Sequence, residues 1–110
     1  MSAIVIPLIS ELLTTTPTKL YEVPADQEDT LTVTGFNYTG TETALSLWVV
    51  GDGETRGDEH KRIPAHPMAA NSVLDLLREV PLAEGTEIWG AAAVDARLAV
   101  QITGRLRATA

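Results

Sequence analysis

The chain has 110 residues, the size of a single domain, and it contains no cysteine, which excludes disulfides, thiolate nucleophiles and thiolate metal sites. Its net charge of −7, from 15 acidic and 8 basic residues, argues against nucleic acid as the main partner, because phosphate backbones attract Lys and Arg. Apolar residues make up 45% of the chain but aromatic residues only 5%, so we expect a core built mainly from Val, Leu, Ile and Ala.

The first predicted element is a strand over Ala3 to Leu13, an apolar and β-branched segment interrupted by Pro7. Because proline cannot donate to a β-ladder, we expect this strand at a sheet edge or with a bend. The apolar run is too short to span a bilayer, and no Lys or Arg precedes Lys19, so we expect neither a membrane segment nor a secretory signal. Residues 1–16 are predicted to be an edge strand or a docking arm. The candidate contact residues within it are Ile4, Val5 and Ile6.

Three more strands are predicted in the first half of the chain, each bounded by turn residues. They cover Lys19 to Val23, Thr30 to Tyr38 and Thr43 to Val50, and an acidic turn from Pro24 to Asp29 separates the first two. The strand over Thr30 to Tyr38 places Leu31 and Val33 on one face and threonines on the other. This alternation with a period of two is typical of a half-buried strand. Gly35 within it predicts a bulge or a close packing contact.

The strand over Thr43 to Val50 is followed by the one strongly polar loop, from Gly51 to Glu59. Leu45, Leu47 and Val49 share one face of the strand, so Trp48 is predicted on the other face, under a loop or at an interface. Four acidic residues and three glycines cannot pack into a core, and we expect the loop to be solvated. The candidate interface residues here are Trp48, Asp52, Arg56 and Asp58.

The second half of the chain continues the same pattern of short apolar runs and turns. We predict a short strand over His60 to Ile63, an irregular segment over Pro64 to Asn71, and a turn over Pro81 to Gly85. Strands are predicted over Glu87 to Ala93 and Arg97 to Leu106, joined by a tight connection at Val94-Asp95-Ala96, with Leu98, Val100 and Ile102 on one face of the last. The whole chain is thus predicted to be one all-β domain of seven or eight strands, an antiparallel β-sandwich or jelly roll.

The segment Ser72 to Val80 fits two interpretations. A helix is indicated by the spacing of Val73, Leu76, Leu77 and Val80, and by a capping box formed by Ser72 and Asp75. A strand is indicated by the alternation of Leu74, Leu76 and Val80. The local pattern does not choose between them.

Four short motifs have a known chemistry, and each has a more ordinary interpretation. His60 and His66, with Asp58 and Glu59 nearby, are too widely spaced for a helical metal pair. The acidic loop lacks the ligand spacing of an EF-hand. Arg56-Gly57-Asp58 spells an adhesion tripeptide and Asn37-Tyr38-Thr39 a glycosylation acceptor, but no secretory signal accompanies either. We therefore expect no catalytic residue, no bound cofactor and no metal ion.

Four segments carry a pattern beyond simple alternation: Leu20 to Ala25, Thr30 to Gly40, Pro67 to Val73 and Pro81 to Trp89. Their order resembles a group of small tailed-bacteriophage virion proteins. In these proteins a Leu-Tyr-x-Val-Pro-Ala strand end precedes a strand that runs into Asn-x-x-Gly, and a late Leu-x-x-Gly turn opens the penultimate strand. The resemblance covers residues 18–108 and implies a non-enzymatic β-sandwich subunit, with residues 72–80 extended.

The resemblance also implies a function and partners. We expect a capsid decoration (cement) protein located in the virion, bound to the major capsid protein or other virion proteins, and forming a homo-oligomer, with a trimer favoured. We expect no nucleic-acid or membrane partner. Two alternatives stay open, namely a tail, neck or fibre-base component, and a carbohydrate- or receptor-binding β-sandwich module.

Overall fold

The computed structural model describes residues 4–94 and 98–108, which form eight strands and one short 3-10 turn over Asp58–His60. The strands are β1 (Ile4–Leu12), β2 (Thr18–Glu22), β3 (Gln27–Asn37), β4 (Thr43–Val50), β5 (Lys61–Met68), β6 (Ser72–Leu82), β7 (Glu87–Ala92) and β8 (Leu98–Ala108). The described residues contain no α-helix, and the predicted all-β class is confirmed. The predicted tight connection at Val94-Asp95-Ala96 lies partly outside the described residues.

The strands form two four-stranded antiparallel sheets that pack face to face. Sheet 1 has the order β1-β8-β3-β6, and sheet 2 has the order β2-β7-β4-β5. The first strand therefore pairs with the last, the second with the seventh, the third with the sixth and the fourth with the fifth. Such a set of nested pairs is one long hairpin rolled into a sandwich, which is the topology of a jelly roll.

The core lies between the inner faces of the two sheets and is almost entirely aliphatic. In β3 the residues Leu31 and Val33 are fully buried, and their threonine neighbours face outwards, as the alternation predicts. The predicted inner face of β8 is confirmed in the same way, because Leu98, Val100 and Ile102 have at most 1% of their surface exposed. Each such side chain contributes about 1.5–3 kcal/mol when buried.

The prediction of an irregular segment over Pro64 to Asn71 is wrong for its first half, because β5 continues to Met68. The two prolines Pro64 and Pro67 made this segment look unlike a strand. Proline is tolerated at an edge, where one side of the backbone needs no ladder partner. β5 is the edge of sheet 2, and its register with β4 runs from Lys61 to Met68 with two irregularities.

The ambiguous segment is a strand, and the helical interpretation is wrong. β6 pairs with β3, and two register shifts place one extra residue in β6 at each shift. Each bulge moves the following side chains to the other face, so the apolar positions of β6 do not alternate strictly. Glu79 lies at the second bulge with a φ of 48°, and its N–H donates to Thr32 Oγ1 at 3.1 Å. The bulges thus explain why a strand carries apolar residues at helix-like spacing.

The predicted acidic turn over Pro24 to Asp29 is shorter than expected, because β3 begins at Gln27. Asp29 is fully buried, and its carboxylate accepts hydrogen bonds from the Tyr21 hydroxyl and from Gln27 Nε2. Burial of the phenol, together with its bond to the Asp29 carboxylate, raises the pKa of Tyr21 far above its usual value near 10. The phenol therefore remains protonated and continues to donate to Asp29 at moderately alkaline pH.

The prolines follow the edges of both sheets. All six lie within the four edge strands or at most two residues from one: Pro7 in β1, Pro17 and Pro24 on either side of β2, Pro64 and Pro67 in β5, and Pro81 in β6. The expectation that Pro7 marks an edge or a bend is confirmed, since β1 is the edge of sheet 1 and its register shifts between Ile6 and Ile9. Edge prolines and bulges both oppose further strand addition.

Candidate functional site

The polar loop after β4 folds back over the outer face of sheet 2 and places an arginine between two tryptophans. Trp48 of β4 and Trp89 of β7 are direct cross-strand partners. The Arg56 guanidinium carbon lies 5.1 Å from the centre of the Trp48 ring and 5.4 Å from that of Trp89. Lys61 Nζ lies 5.2 Å from the Trp48 ring centre. Cations at such distances are attracted by the ring quadrupole.

This cluster places Trp48 in one of its two predicted settings, under a loop. Only 5% of the Trp48 side chain is exposed, although it points away from the main core, because the loop and its cation cover it. Trp89 is half-buried beside it, and its indole N–H donates to Glu87 Oε1 at 2.9 Å. The tryptophan therefore lies under a loop and is almost fully buried.

The loop that carries Arg56 is held by contacts at both of its ends. The Gly57 N–H donates to His60 Nδ1 at 3.0 Å, and His60 Nε2 lies 3.5 Å from a Glu54 carboxylate oxygen. The Asp52 side chain lies where a Cβ atom at Gly85, in the turn between β6 and β7, would be placed. Most other loop residues, Asp58 among them, are exposed, as expected for a solvated loop. These contacts fix the loop in a position where Arg56 reaches both rings.

Removing the Arg56 charge is expected to loosen this loop. We expect Arg56→Gln to lower the free energy of unfolding by about 1–2 kcal/mol, the value of a partly desolvated cation–π contact. Because both tryptophans of the chain lie in the cluster, their emission should also shift to the red and become easier to quench with acrylamide.

Arg78→Gln is the matched control for that experiment. Arg78 is exposed and bonds only to Asp75 on the surface, so its loss should change stability by no more than about 0.5 kcal/mol and leave the emission unchanged. Equal effects of the two substitutions, or an Arg56→Gln spectrum like that of the wild type, would contradict a role of Arg56 in covering the rings.

The structure brings only some of the predicted interface residues together. Arg56 and Trp48 are in contact, and Asp52 and Asp58 lie in the same loop. Residues 4–6 are elsewhere, at the start of β1 on the edge of sheet 1, where they pair with residues 104–106. The sequence could not show that Trp89 joins Trp48 and Arg56, because this contact depends on the pairing of β7 with β4.

The histidines and the other short motifs form no metal site. His60 belongs to the loop after β4, whereas His66 is exposed in β5 opposite Leu45. Within the described part of the chain, no three His, Asp or Glu side chains are grouped so that they could hold a metal ion. Arg56 of the Arg-Gly-Asp tripeptide is engaged by the two indoles rather than presented to solvent.

The loops at the two ends of the sandwich differ sharply in charge. One end, here called the acidic end, holds the loops at 23–26, 51–60 and 83–86. Two backbone hydrogen bonds of 2.9 Å, from Val23 N–H to Thr86 O and from Gly85 N–H to Val23 O, join the first and third of these loops. The loops of the acidic end contain one arginine, Arg56, and six carboxylates: Asp26, Asp52, Glu54, Asp58, Glu59 and Glu84.

The opposite end, here called the neutral end, holds the loops at 13–17, 38–42 and 69–71 and residues 93–94. Backbone bonds join them as well, from Ala92 to Thr14 at 2.8 Å and from Asn71 to Thr39 at 3.0 Å. These described loop residues are mostly Thr, Ala and Gly, and Glu42 is the one charged residue among them.

Exposed apolar side chains gather at the neutral end. Five large hydrophobic residues among the described side chains are exposed, and each lies in a neutral-end loop or within a few residues of one: Leu12, Tyr38, Val73, Leu74 and Val94. A cluster of exposed apolar groups in an uncharged surround is typical of a protein-binding surface. Because these residues come from distant parts of the sequence, only the arrangement of the strands reveals the cluster.

Asn37 joins the loops of the neutral end and is not a glycosylation site. Its side chain is 1% exposed, and its amide donates to the carbonyl oxygens of Thr41 at 2.9 Å and Met68 at 3.0 Å. Its oxygen accepts from the backbone N–H and the hydroxyl of Thr39. The Asn-Tyr-Thr motif therefore encodes a structural bridge between loops.

Comparison with known proteins adds no family to this description. The chain matches no known protein-family profile, no curated protein sequence and no solved structure. None of the described segments forms a helix that is long and apolar enough to cross a membrane.

Proposed function

We propose that the chain is a non-enzymatic structural subunit of a tailed-phage virion, and specifically a capsid decoration protein that binds the outside of the head shell. The observation that carries this proposal is the contrast between the two ends of the sandwich. With the exposed large apolar side chains of the described residues near one end and six loop carboxylates at the other, such a subunit binds a neighbour in one orientation.

The sequence and the topology support the same proposal. The strand ends and turns of residues 18–108 resemble those of small virion proteins. The jelly roll occurs in viral capsid domains, although it also occurs in lectins and cupins, so the fold supports the proposal only by analogy.

The dimensions of the molecule favour binding in many copies. The backbone measures 46 × 27 × 17 Å, so one end offers a cross-section of about 450 Å², against about 800 Å² per partner in a standard stable interface. A single end-on contact is therefore weak. A small homo-oligomer such as a trimer, which links several ends over symmetrically repeated sites, raises the effective affinity without new contacts.

The other candidate functions have less support. A tail, neck or fibre-base subunit would use the same one-ended surface and differs only in its copy number. A carbohydrate-binding module needs open aromatic faces. Trp48 is covered by Arg56 and Lys61, and among the described large aromatic side chains Tyr38 alone is exposed rather than buried or half-buried.

Quantitative mass spectrometry of purified particles tests the proposal. Hundreds of copies per particle are expected for a decoration protein, and a handful would indicate a tail or neck component instead. Absence from particles, together with failure of the purified protein to bind shells that lack it, would refute the virion function.

A further inference from the structure

A row of apolar residues crosses the whole of sheet 1 at the neutral end. Leu12 of β1 pairs with Ala99 of β8, which pairs with Phe36 of β3, which pairs with Val73 of β6. Directly paired residues point to the same face of a sheet. In β3 the residues on either side of Phe36, Gly35 and Asn37, are buried. Because side chains alternate between faces along a strand, Phe36 and the row lie on the outer face.

The row is exposed at both of its edges, where Leu12 has 56% and Val73 63% of its surface accessible. Phe36 and Ala99 are half-buried between them. Tyr38, two residues beyond Phe36, is 53% exposed and extends the apolar surface into the next loop. We call these five residues the apolar row.

The neighbouring positions on the same face are polar. The next outward-facing row along the strands consists of Ser10, Gln101, Thr34 and Asp75, and beyond it Thr103 pairs with Thr32. An outer face that alternates with a buried face is normally polar throughout. The apolar row departs from this rule at the neutral end, where it is bordered by the polar row of Ser10, Gln101, Thr34 and Asp75.

We propose that the apolar row is the surface by which the chain is seated on the particle, against an uncharged apolar patch of the shell protein. This inference rests on the proposed function and adds the contact residues and the chemistry of the partner. With the row against the shell, the acidic end and its six carboxylates face outwards. A basic partner surface would instead be attracted to the acidic end.

The small size of the row favours the shell over a second copy of the chain. The row spans three inter-strand intervals, about 14 Å, which is too little for a stable isolated dimer. Sites repeated over a shell compensate for a small contact, because several linked ends bind together. Contact through apolar groups also predicts binding that is nearly independent of salt, since screening acts on charges.

The experiment uses co-sedimentation of the full chain with particles that lack it, at low salt and at about 0.5 M salt. Val73→Asp places a charge in the row, and Thr103→Asp places the same charge on the same face outside it. Both positions are exposed, and circular dichroism and thermal melting check that each variant folds. Leu12→Ser provides a second change at the opposite edge of the row. Light scattering of each free protein reports self-association.

The inference is supported if the wild type binds at both salt concentrations, Val73→Asp and Leu12→Ser weaken binding at least tenfold, and Thr103→Asp does not. Equal binding by all variants would overturn the row as the contact while leaving the virion function intact. Loss of self-association in Val73→Asp with unchanged particle binding would assign the row to a second copy. No binding by the wild type would refute the proposed function and this inference together.

Discussion

Replacing Asn37 with Asp is expected to lower the free energy of unfolding by about 3 kcal/mol or more at neutral pH. The wild-type amide donates to the carbonyl oxygens of Thr41 and Met68, and a carboxylate can donate to neither. The substitution therefore sets a buried negative charge against two carbonyl oxygens.

The cost of Asn37→Asp should depend on pH. Burial beside two carbonyls should raise the pKa of the new carboxyl above its unfolded value of about 3.9. A raised folded-state pKa means that the penalty is absent below the unfolded pKa and grows as pH rises above it. Urea unfolding at pH 7 and near pH 4 should show the larger difference from the wild type at pH 7.

Asn71→Asp is the matched control, because it makes the same chemical change at an exposed position. Asn71 has a φ of 53°, which Asp also tolerates, so the change in stability should stay within about 0.5 kcal/mol. A change in unfolding free energy for Asn37→Asp as small as that for Asn71→Asp would contradict the role of the Asn37 amide as a bridge. So would a decrease that is the same at both pH values.

Gly104→Ala is expected to destabilise the protein by about 2–4 kcal/mol through a backbone clash. Gly104 lies in β8 opposite Leu31 of β3, at the centre of sheet 1. A Cβ atom here would overlap the carbonyl oxygen of Thr30 and come within 3.1 Å of Leu31 Cα. Because these are main-chain atoms, the two central strands must move apart, and no side-chain rotation relieves the overlap.

Gly40→Ala tests whether the lower stability of Gly104→Ala arises from the backbone clash or simply from replacing a glycine. A Cβ at Gly40 has no neighbour within 4 Å, so this variant should melt within a few degrees of the wild type. Calorimetry of both variants measures the difference. A Gly104→Ala variant as stable as Gly40→Ala would show that β3 and β8 can separate locally without cost.

The sequence predicted those strands whose inner and outer faces alternate without interruption. β3, β4 and β8 are long and have regular aliphatic positions, and their predicted bounds agree with the structure to within a few residues. The errors fall on two edge strands, where alternation is broken. Pro64 and Pro67 hid the second half of β5, and two bulges gave β6 apolar residues at helix-like spacing.

The candidate surfaces were harder to predict, because they depend on register between distant strands. Trp48 was expected on an outer face, but its contact with Arg56 requires the loop to fold back, and its pairing with Trp89 requires β7 beside β4. The apolar row joins β1, β3, β6 and β8, and its members come from four separate parts of the sequence. Local patterns carry no information about such cross-strand neighbours.

The nested pairing of the strands has a consequence for how the chain acquires its structure. The outermost ladder joins β1 to β8, so during synthesis β1 lacks this partner until β8 is complete. Chains dominated by such distant pairings fold in milliseconds to seconds, whereas helical bundles need microseconds to milliseconds. During this interval β1 is unpaired, and Pro7 in its middle interrupts the ladder that a neighbouring nascent chain could add.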